Sequence, residues 1–235
     1  MKIRFHCPSC ATEHALGAES EVFLTPMDTG LYLVRCSRGH ATPTILQQMR
    51  FEILFEIGIT AIADGYFREA ISSFAASLER FLEFYILMVF KERGAQDSLH
   101  EKTWKKVSNQ SERQLGAYFF LHALHDGAEP AYLHKSLVEL RNQVIHKGRL
   151  PQREEAIRFG NAVLAVINPA VRRFKERSSN LLLQAIQQHQ QTAAASSQDI
   201  ISHVNCVNTT ISLAYDLSVP DCEDIANLPQ IRAYV

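Results

Sequence analysis

The sequence predicts a mainly α protein: an antiparallel helical bundle with a small β module at its N-terminus. Three observations carry this. Apolar residues recur at helical spacing through most of 44–190. The first 43 residues instead hold short β-leaning runs and three of the five cysteines. Gly and Pro fall where helices would end, at Gly65, Gly94, Gly127, Gly148 and Pro151. The expected division is a ribbon at 1–43, a helical domain at 44–190 and a C-terminal segment of unassigned role at 191–235.

Composition bounds the class. At 235 residues the chain is one large or two small domains, and 46% apolar content suffices for a substantial core. The net charge is −1, so contact with nucleic acid has to come from a local patch. The chain runs from Met1 straight into cysteines without a secretory pattern. Its longest apolar stretches, such as 81–90, contain Glu83 and fall short of the roughly 20 residues a membrane span needs. A soluble, cytoplasmic protein with no membrane contact is expected. In that reducing setting, clustered cysteines read as metal ligands and not as a disulfide framework.

The N-terminal module comes first. Cys7-Pro8-Ser9-Cys10 is a Cys-x2-Cys knuckle, and Cys36-Ser37-Arg38-Gly39-His40 offers a second pair. Zinc takes four tetrahedral nitrogen or sulfur ligands, and closely spaced pairs grip it from one turn. Cys7, Cys10, Cys36 and His40 are the expected ligands of a zinc ribbon, with His6 and His14 as rivals to His40. Four protein ligands close the site, so Zn2+ there is structural and not catalytic. Glu21-Val22-Phe23-Leu24 and Leu31-Tyr32-Leu33-Val34-Arg35 read as two strands of a hairpin turning at Asp28-Thr29-Gly30. So small a module needs a cross-link to fold. Arg4, Arg35 and Arg38 offer weak support for nucleic-acid contact.

Helices follow. Thr42-Pro43-Thr44 is a start signal for a helix to about Ala63, broken by Asp64-Gly65. A second runs from Tyr66 to about Arg93, with Ala70, Phe74, Ser77, Leu78, Phe81, Leu82, Tyr85 and Val89 on one broad face. A polar segment containing Trp104 comes next, then a helix near 112–124. Another helix spans about 130–147, with Gly148 and Pro151 as stop signals. The last begins at Pro151 and runs toward His189, with Pro169 as a kink or break. Residues 187–198, rich in Gln, Ala and Ser, read as a frayed end or linker.

The helix at 130–147 carries the chemistry. Leu133, Leu137, Leu140 and Val144 form an apolar stripe, widened by Val138 and Ile145. Arg141 falls inside that arc. A guanidinium stays charged, so on such an arc it needs a carboxylate, a phosphate or a wet cleft. The neighbouring polar face holds Lys135, Glu139, Asn142, His146 and Arg149.

The stretch Leu140-Arg141-Asn142-Gln143-Val144-Ile145-His146-Lys147-Gly148 resembles the Arg-x4-6-His signature of the HEPN superfamily. Arg141 matches the family arginine, Asn142 the polar residue after it, and His146 the histidine at the shortest spacing. The run from Ala70 to Leu82, with a small-residue face leading into Leu78-Glu79, is similar to the family's second-helix pattern. The resemblance covers about 44–177, not the ribbon or the last fifty-odd residues. It implies an antiparallel bundle that dimerises with two motifs facing each other, and metal-independent RNA cleavage in active members. Many members are toxins or phage-defence effectors, while others only bind.

The residue types suit that chemistry. Transphosphorylation by the RNA 2′-hydroxyl needs a base, an acid and positive charge on the phosphorane. His146 exchanges protons, Arg141 forks onto phosphoryl oxygens, and Asn142 lies four residues before His146 on one face. Lys147 and Arg149 would hold flanking phosphates, and Glu79 would hold Arg141. A homodimer would supply the second histidine. The same residues also fit a structural role, with Arg141 merely paired to Glu79 inside the bundle. The expectation is therefore an RNA-cleaving homodimer with a regulatory protein partner. The alternative is a non-catalytic module that binds nucleic acid or protein on the same scaffold.

Other candidates are weaker. His122 and His125, with Asp126, offer metal-ligand chemistry, but two histidines three apart on a surface read as solvated side chains. Trp104 beside Lys102, Lys105 and Lys106 suggests an anchored loop before it suggests RNA. Cys206 and Cys222 have no ligand partners nearby. Phe74, Phe81, Phe84, Tyr85 and Phe90 read as core or dimer interface. No phosphate-binding glycine loop and no serine-hydrolase elbow occurs.

Overall fold

A computed structural model describes residues 2–196, 203–214 and 217–232. The protein is mainly helical, with a small β region at its N-terminus. In chain order the elements are β1 (Ile3–His6), α1 (Pro8–Thr12), β2 (Glu21–Leu24), β3 (Leu31–Arg35), β4 (Ala41–Leu46), α2 (Arg50–Ala63), α3 (Phe67–Glu92) and α4 (Asp97–Val107). Then come α5 (Ser111–Asp126), α6 (Lys135–Lys147), α7 (Arg153–Arg177), α8 (Ser179–Ala195), β5 (His203–Asn205) and a short α9 (Pro229–Arg232).

The β region pairs differently from the expected hairpin. β2 lies antiparallel to β1, with Phe5 opposite Val22. β3 lies antiparallel to β4, with Val34 opposite Thr42. Asp28-Thr29-Gly30 therefore links two sheets and does not turn one hairpin. The tight turn is the second ligand pair itself: the Gly39 amide donates to the Cys36 carbonyl, and Gly39 adopts a φ of 87°, which only glycine takes readily. Thr42-Pro43-Thr44 lies within β4 and starts no helix. β4 runs through the expected boundary at residue 43, and α2 begins at Arg50. Alternation decides the matter, because Thr42, Thr44 and Leu46 face inward along β4 while Ala41 stays exposed.

α3 is the central helix, touching α2, α4, α5, α6, α7 and α8. Its apolar face, predicted from the sequence, is enclosed from Ala70 to Val89. Two glycines shape the contact around Phe74. A Cβ on Gly58 of α2 would lie 2.4 Å from the Phe74 ring, and one on Gly160 of α7 would lie 2.9 Å from it. Phe74 is fully buried between these two notches.

The polar segment before α5 is a helix, α4, with no buried residue. Trp104 on it stacks on His100, with ring centroids 6.2 Å apart. α7 continues through Pro169, and the chain breaks instead at Ser178, where α8 starts. α8 crosses the expected boundary at residue 190 and ends at Ala195.

The C-terminal segment is woven into both parts. β5 runs parallel to β4, with Leu46 opposite Asn205. Ile211, Leu213, Ile225 and Ile231 join the main helical core. Val207 joins a second, smaller core with Phe5, Tyr32, Val34 and the three N-terminal cysteines. α2 serves both cores: Phe51, Phe55 and Ile59 face the helices, and Ile53 faces the β region.

Three side chains four residues apart, running from just before α2 into its second turn, hold the returning chain. Gln48 accepts from the Val207 amide at 3.1 Å and donates to its carbonyl at 2.8 Å. Glu52 accepts from the Leu213 amide at 2.9 Å while capping α2 through the Met49 amide at 2.7 Å. Glu56 accepts from the amide and hydroxyl of Thr210, both at 3.0 Å. Such bonds satisfy backbone groups that would otherwise be stranded in the interior.

Candidate functional site

The first site is built by β1, α1 and the β3–β4 turn. Cys7, at the end of β1, is fixed by its amide bond to the Ser20 carbonyl. Pro8 opens α1, and one turn of helix brings Cys10 beside Cys7. The β3–β4 turn delivers Cys36 and His40. Cys10 Sγ lies 3.8 Å from Cys36 Sγ and 3.3 Å from His40 Nδ1, and Cys7 Sγ lies 3.7 Å from that nitrogen. All four ligand atoms fall within 4.8 Å of one another.

These separations fit a tetrahedral ion. Zinc–sulfur bonds of about 2.3 Å imply sulfur atoms about 3.8 Å apart around the metal. The three cysteines are buried and His40 is half-buried, so the cluster can hold a metal such as zinc. His6 and His14 are not part of it; among the described residues no other grouping of this kind occurs.

The thiol chemistry agrees. Burial, then the crowding of Cys7 and Cys36, pushes the Cys10 thiol up to about 11. Burial also acts against Cys36, but hydrogen bonds from the backbone of His40 and Arg38 outweigh it and bring that thiol down to about 7. The same neighbours thus disfavour charge on Cys10 and, through hydrogen bonds from Cys7 and Cys10, favour it on Cys36, and a bound dication would favour the thiolate form of all three.

The sequence did not single out Glu13. Its Oε1 lies 3.4 Å from His40 Nε2, the ring nitrogen that faces away from the sulfurs. A carboxylate behind a ligating imidazole fixes its tautomer and orientation. The spacing of Glu13 from the knuckle held no signal of this.

The second site lies on α6. Arg141 Nη2 donates to Glu79 Oε1 of α3 at 2.8 Å, and Arg141 Nη1 donates to Asn142 Oδ1 at 3.1 Å. The pair is partly enclosed, with side-chain exposures of 27% and 34%. His146 and Lys147 occupy the last turn and are exposed. Gly148 ends the helix in the left-handed conformation at φ 69°. Arg149 is turned back onto Gln143 and Glu155.

Tyr132, ahead of α6, carries no motif or spacing that marks it in the sequence. It packs edge-on against Phe119, with centroids 5.5 Å apart. Burial first, then the negative charge of Glu79, raises its phenol, while Arg141 pulls the other way. The ring thus sits in the field of both members of the ion pair.

The remaining candidates belong to the framework. Asp126 accepts from Tyr85 at 2.7 Å, Arg173 at 2.8 Å and His125 at 3.1 Å, and His122 lies 3.4 Å away. His125 also reaches Glu92 at 2.6 Å, and Glu92 bonds Ser178. This chain ties α3, α5, α7 and the start of α8 together. Cys206 is exposed and Cys222 half-buried, and neither forms a disulfide. A cavity of about 690 Å³ opens elsewhere, floored by Phe51, Phe84 and Leu87. No helix among the described residues is long and apolar enough to cross a membrane.

Compared with models of protein families, with curated proteins and with solved structures, the chain matches none.

Proposed function

We propose that the chain is a homodimeric, metal-independent endoribonuclease of the HEPN type, with a structural zinc ion in its N-terminal ribbon. One observation carries the reading: a guanidinium held by a carboxylate on an otherwise apolar helix face, five residues before an exposed histidine. The helices would form an antiparallel bundle, and a two-fold dimer would bring two α6 ends to one cleft.

In that cleft one His146 takes the proton of an RNA 2′-hydroxyl as its oxygen attacks the phosphorus. The partner copy's histidine protonates the departing 5′-oxygen as the P–O5′ bond breaks. Arg141 neutralises charge gathering on the non-bridging oxygens, oriented by Glu79 and Asn142. Lys147 contacts a flanking phosphate. The products carry a 2′,3′-cyclic phosphate and a 5′-hydroxyl. A toxin or defence role would follow from uncontrolled cleavage and would call for a regulatory protein partner.

A second reading is favoured by the engagement of Arg141 on two sides by Glu79 and Asn142. There the helices are scaffold, and the module binds RNA or protein without cleaving.

The test is incubation of labelled single-stranded and structured RNAs in buffer stripped of free divalent cations. The wild type and an Arg141→Ala/His146→Ala double mutant run side by side. Cleavage by the wild type alone, leaving cyclic phosphate ends, supports the nuclease. Intact RNA with a folded dimer supports the scaffold.

A further inference from the structure

We infer that metal occupancy of the N-terminal cluster governs whether the C-terminal segment stays seated at 203–207, making this stretch a metal-dependent strap. The inference rests on reading Cys7, Cys10, Cys36 and His40 as metal ligands.

The first anchor of the returning chain lies in the ligands' own surroundings. β5 is three residues long and, among the described residues, pairs only with β4, the strand that follows His40. Asn205 Nδ2 donates to the carbonyl of His6, the residue before Cys7, at 2.7 Å. The Gln47 amide donates to the Asn205 carbonyl at 2.9 Å. Val207 packs into the small core that contains Cys7, Cys10 and Cys36 themselves. Three of the ten buried residues of that small core are the cysteines themselves, so a cross-link through them is expected to supply much of its stability.

The second anchor is independent of it. Thr210 and Leu213 are held by Glu56 and Glu52, and Ile211 and Leu213 pack into the large helical core. Loss of the metal therefore frees the chain up to Val207 and stops at Thr209, which is itself buried. Opening uncovers the edge of β4, whose peptide groups pair with β5 when the strap is seated.

Coupling of this kind is reciprocal: whatever holds the strap also tightens the metal site. Gln48, which bonds the Val207 amide and carbonyl, and Asn205, which bonds the His6 carbonyl, supply side-chain bonds at the first anchor, and neither is a metal ligand.

The test is hydrogen–deuterium exchange on the full-length protein, with metal content measured alongside. Samples are compared before and after treatment with a high-affinity zinc chelator under reducing conditions. Exchange at 203–207 is expected to rise about tenfold or more on metal loss, with 209–213 changed by less than about twofold. Gln48→Ala/Asn205→Ala is expected to weaken zinc binding about tenfold in chelator competition while leaving the helical circular dichroism intact. A protein that contains no metal and takes up none overturns the ligand reading and the strap together. Bound metal whose removal leaves 203–207 protected overturns the strap alone, as does unchanged zinc affinity in the double variant.

Discussion

Arg141 and Glu79 stand 62 residues apart in the chain and 2.8 Å apart in space, joining α6 to α3 through one ion pair. Partial enclosure places its worth near the upper end for accessible pairs, about 1 kcal/mol. A double-mutant cycle of Arg141→Ala and Glu79→Ala, read by denaturant unfolding, is expected to return a coupling of that size. A coupling indistinguishable from zero would mean that Glu79 does not hold the arginine.

His146 should separate stability from activity. It is exposed in the last turn of α6, so His146→Ala should change unfolding free energy by less than about 0.5 kcal/mol. On the proposed nuclease reading, RNA cleavage should fall about 10²- to 10⁴-fold, as for loss of a general acid–base. Undiminished cleavage by the variant would remove His146 from the reaction.

Glu13 should tune the metal site without ligating it. Glu13→Gln is expected to weaken zinc binding about tenfold, against near-complete loss for Cys10→Ser. Competition with a chromophoric chelator reads both. Equal affinity in wild type and Glu13→Gln would show that His40 needs no support from behind.

Glu52 makes stability fall as pH rises. Burial pushes its carboxyl from 4.5 up to about 7, against the pull of the Leu213 and Met49 amides. A folded-state value above the unfolded one means that the folded protein binds this proton more tightly. The stabilisation is complete below about 4.5 and is lost as pH climbs through about 7. Relative to Glu52→Gln, the wild type should therefore lose on the order of 3 kcal/mol between those limits. Parallel stability curves for the two proteins would contradict this. Asp126, held below its ordinary value despite burial by Tyr85, Arg173 and His125, acts in the opposite sense but equally in both proteins.

Gly58 should resist enlargement. A methyl group there meets the Phe74 ring at 2.4 Å, and the ring has Gly160 behind it. Gly58→Ala should lower stability by about 1–3 kcal/mol despite alanine's better helix propensity. Thermal unfolding decides, and a stabilised variant would mean that the ring has room to move.

What was legible in the sequence was whatever local pattern dictates. The ligand pairs at Cys7–Cys10 and Cys36–His40 carry their own spacing, and α3 displays its buried face in its periodicity. Arg141 could be seen as a charge in want of a partner, and Glu79 is that partner in space. Strand pairing could not be read, because Val22 suits either neighbour and only the assembled β region chooses β1. α4 leaves no such trace, because it encloses no residue and so carries no buried stripe. Pro169 lies within α7 and Ser178 ends it, contrary to local propensity. Glu13, Tyr132 and the bonds from Gln48, Glu52 and Glu56 depend on contacts across long stretches of chain, for which one sequence holds no period or motif.

The pairing of β4 with β5 has a consequence for biosynthesis. The cysteines of the β region leave the ribosome well before the strand that completes its sheet, since β4 pairs with a strand about 160 residues further along the chain, as Thr44 meets His203. At typical elongation rates that delay lasts about 8–30 seconds. During it the nascent chain displays three thiols and an unfinished sheet edge. Early capture of a metal ion would protect those thiols and hold the edge ready, so the speed of metal delivery, beyond final affinity, would set the yield of correctly folded protein.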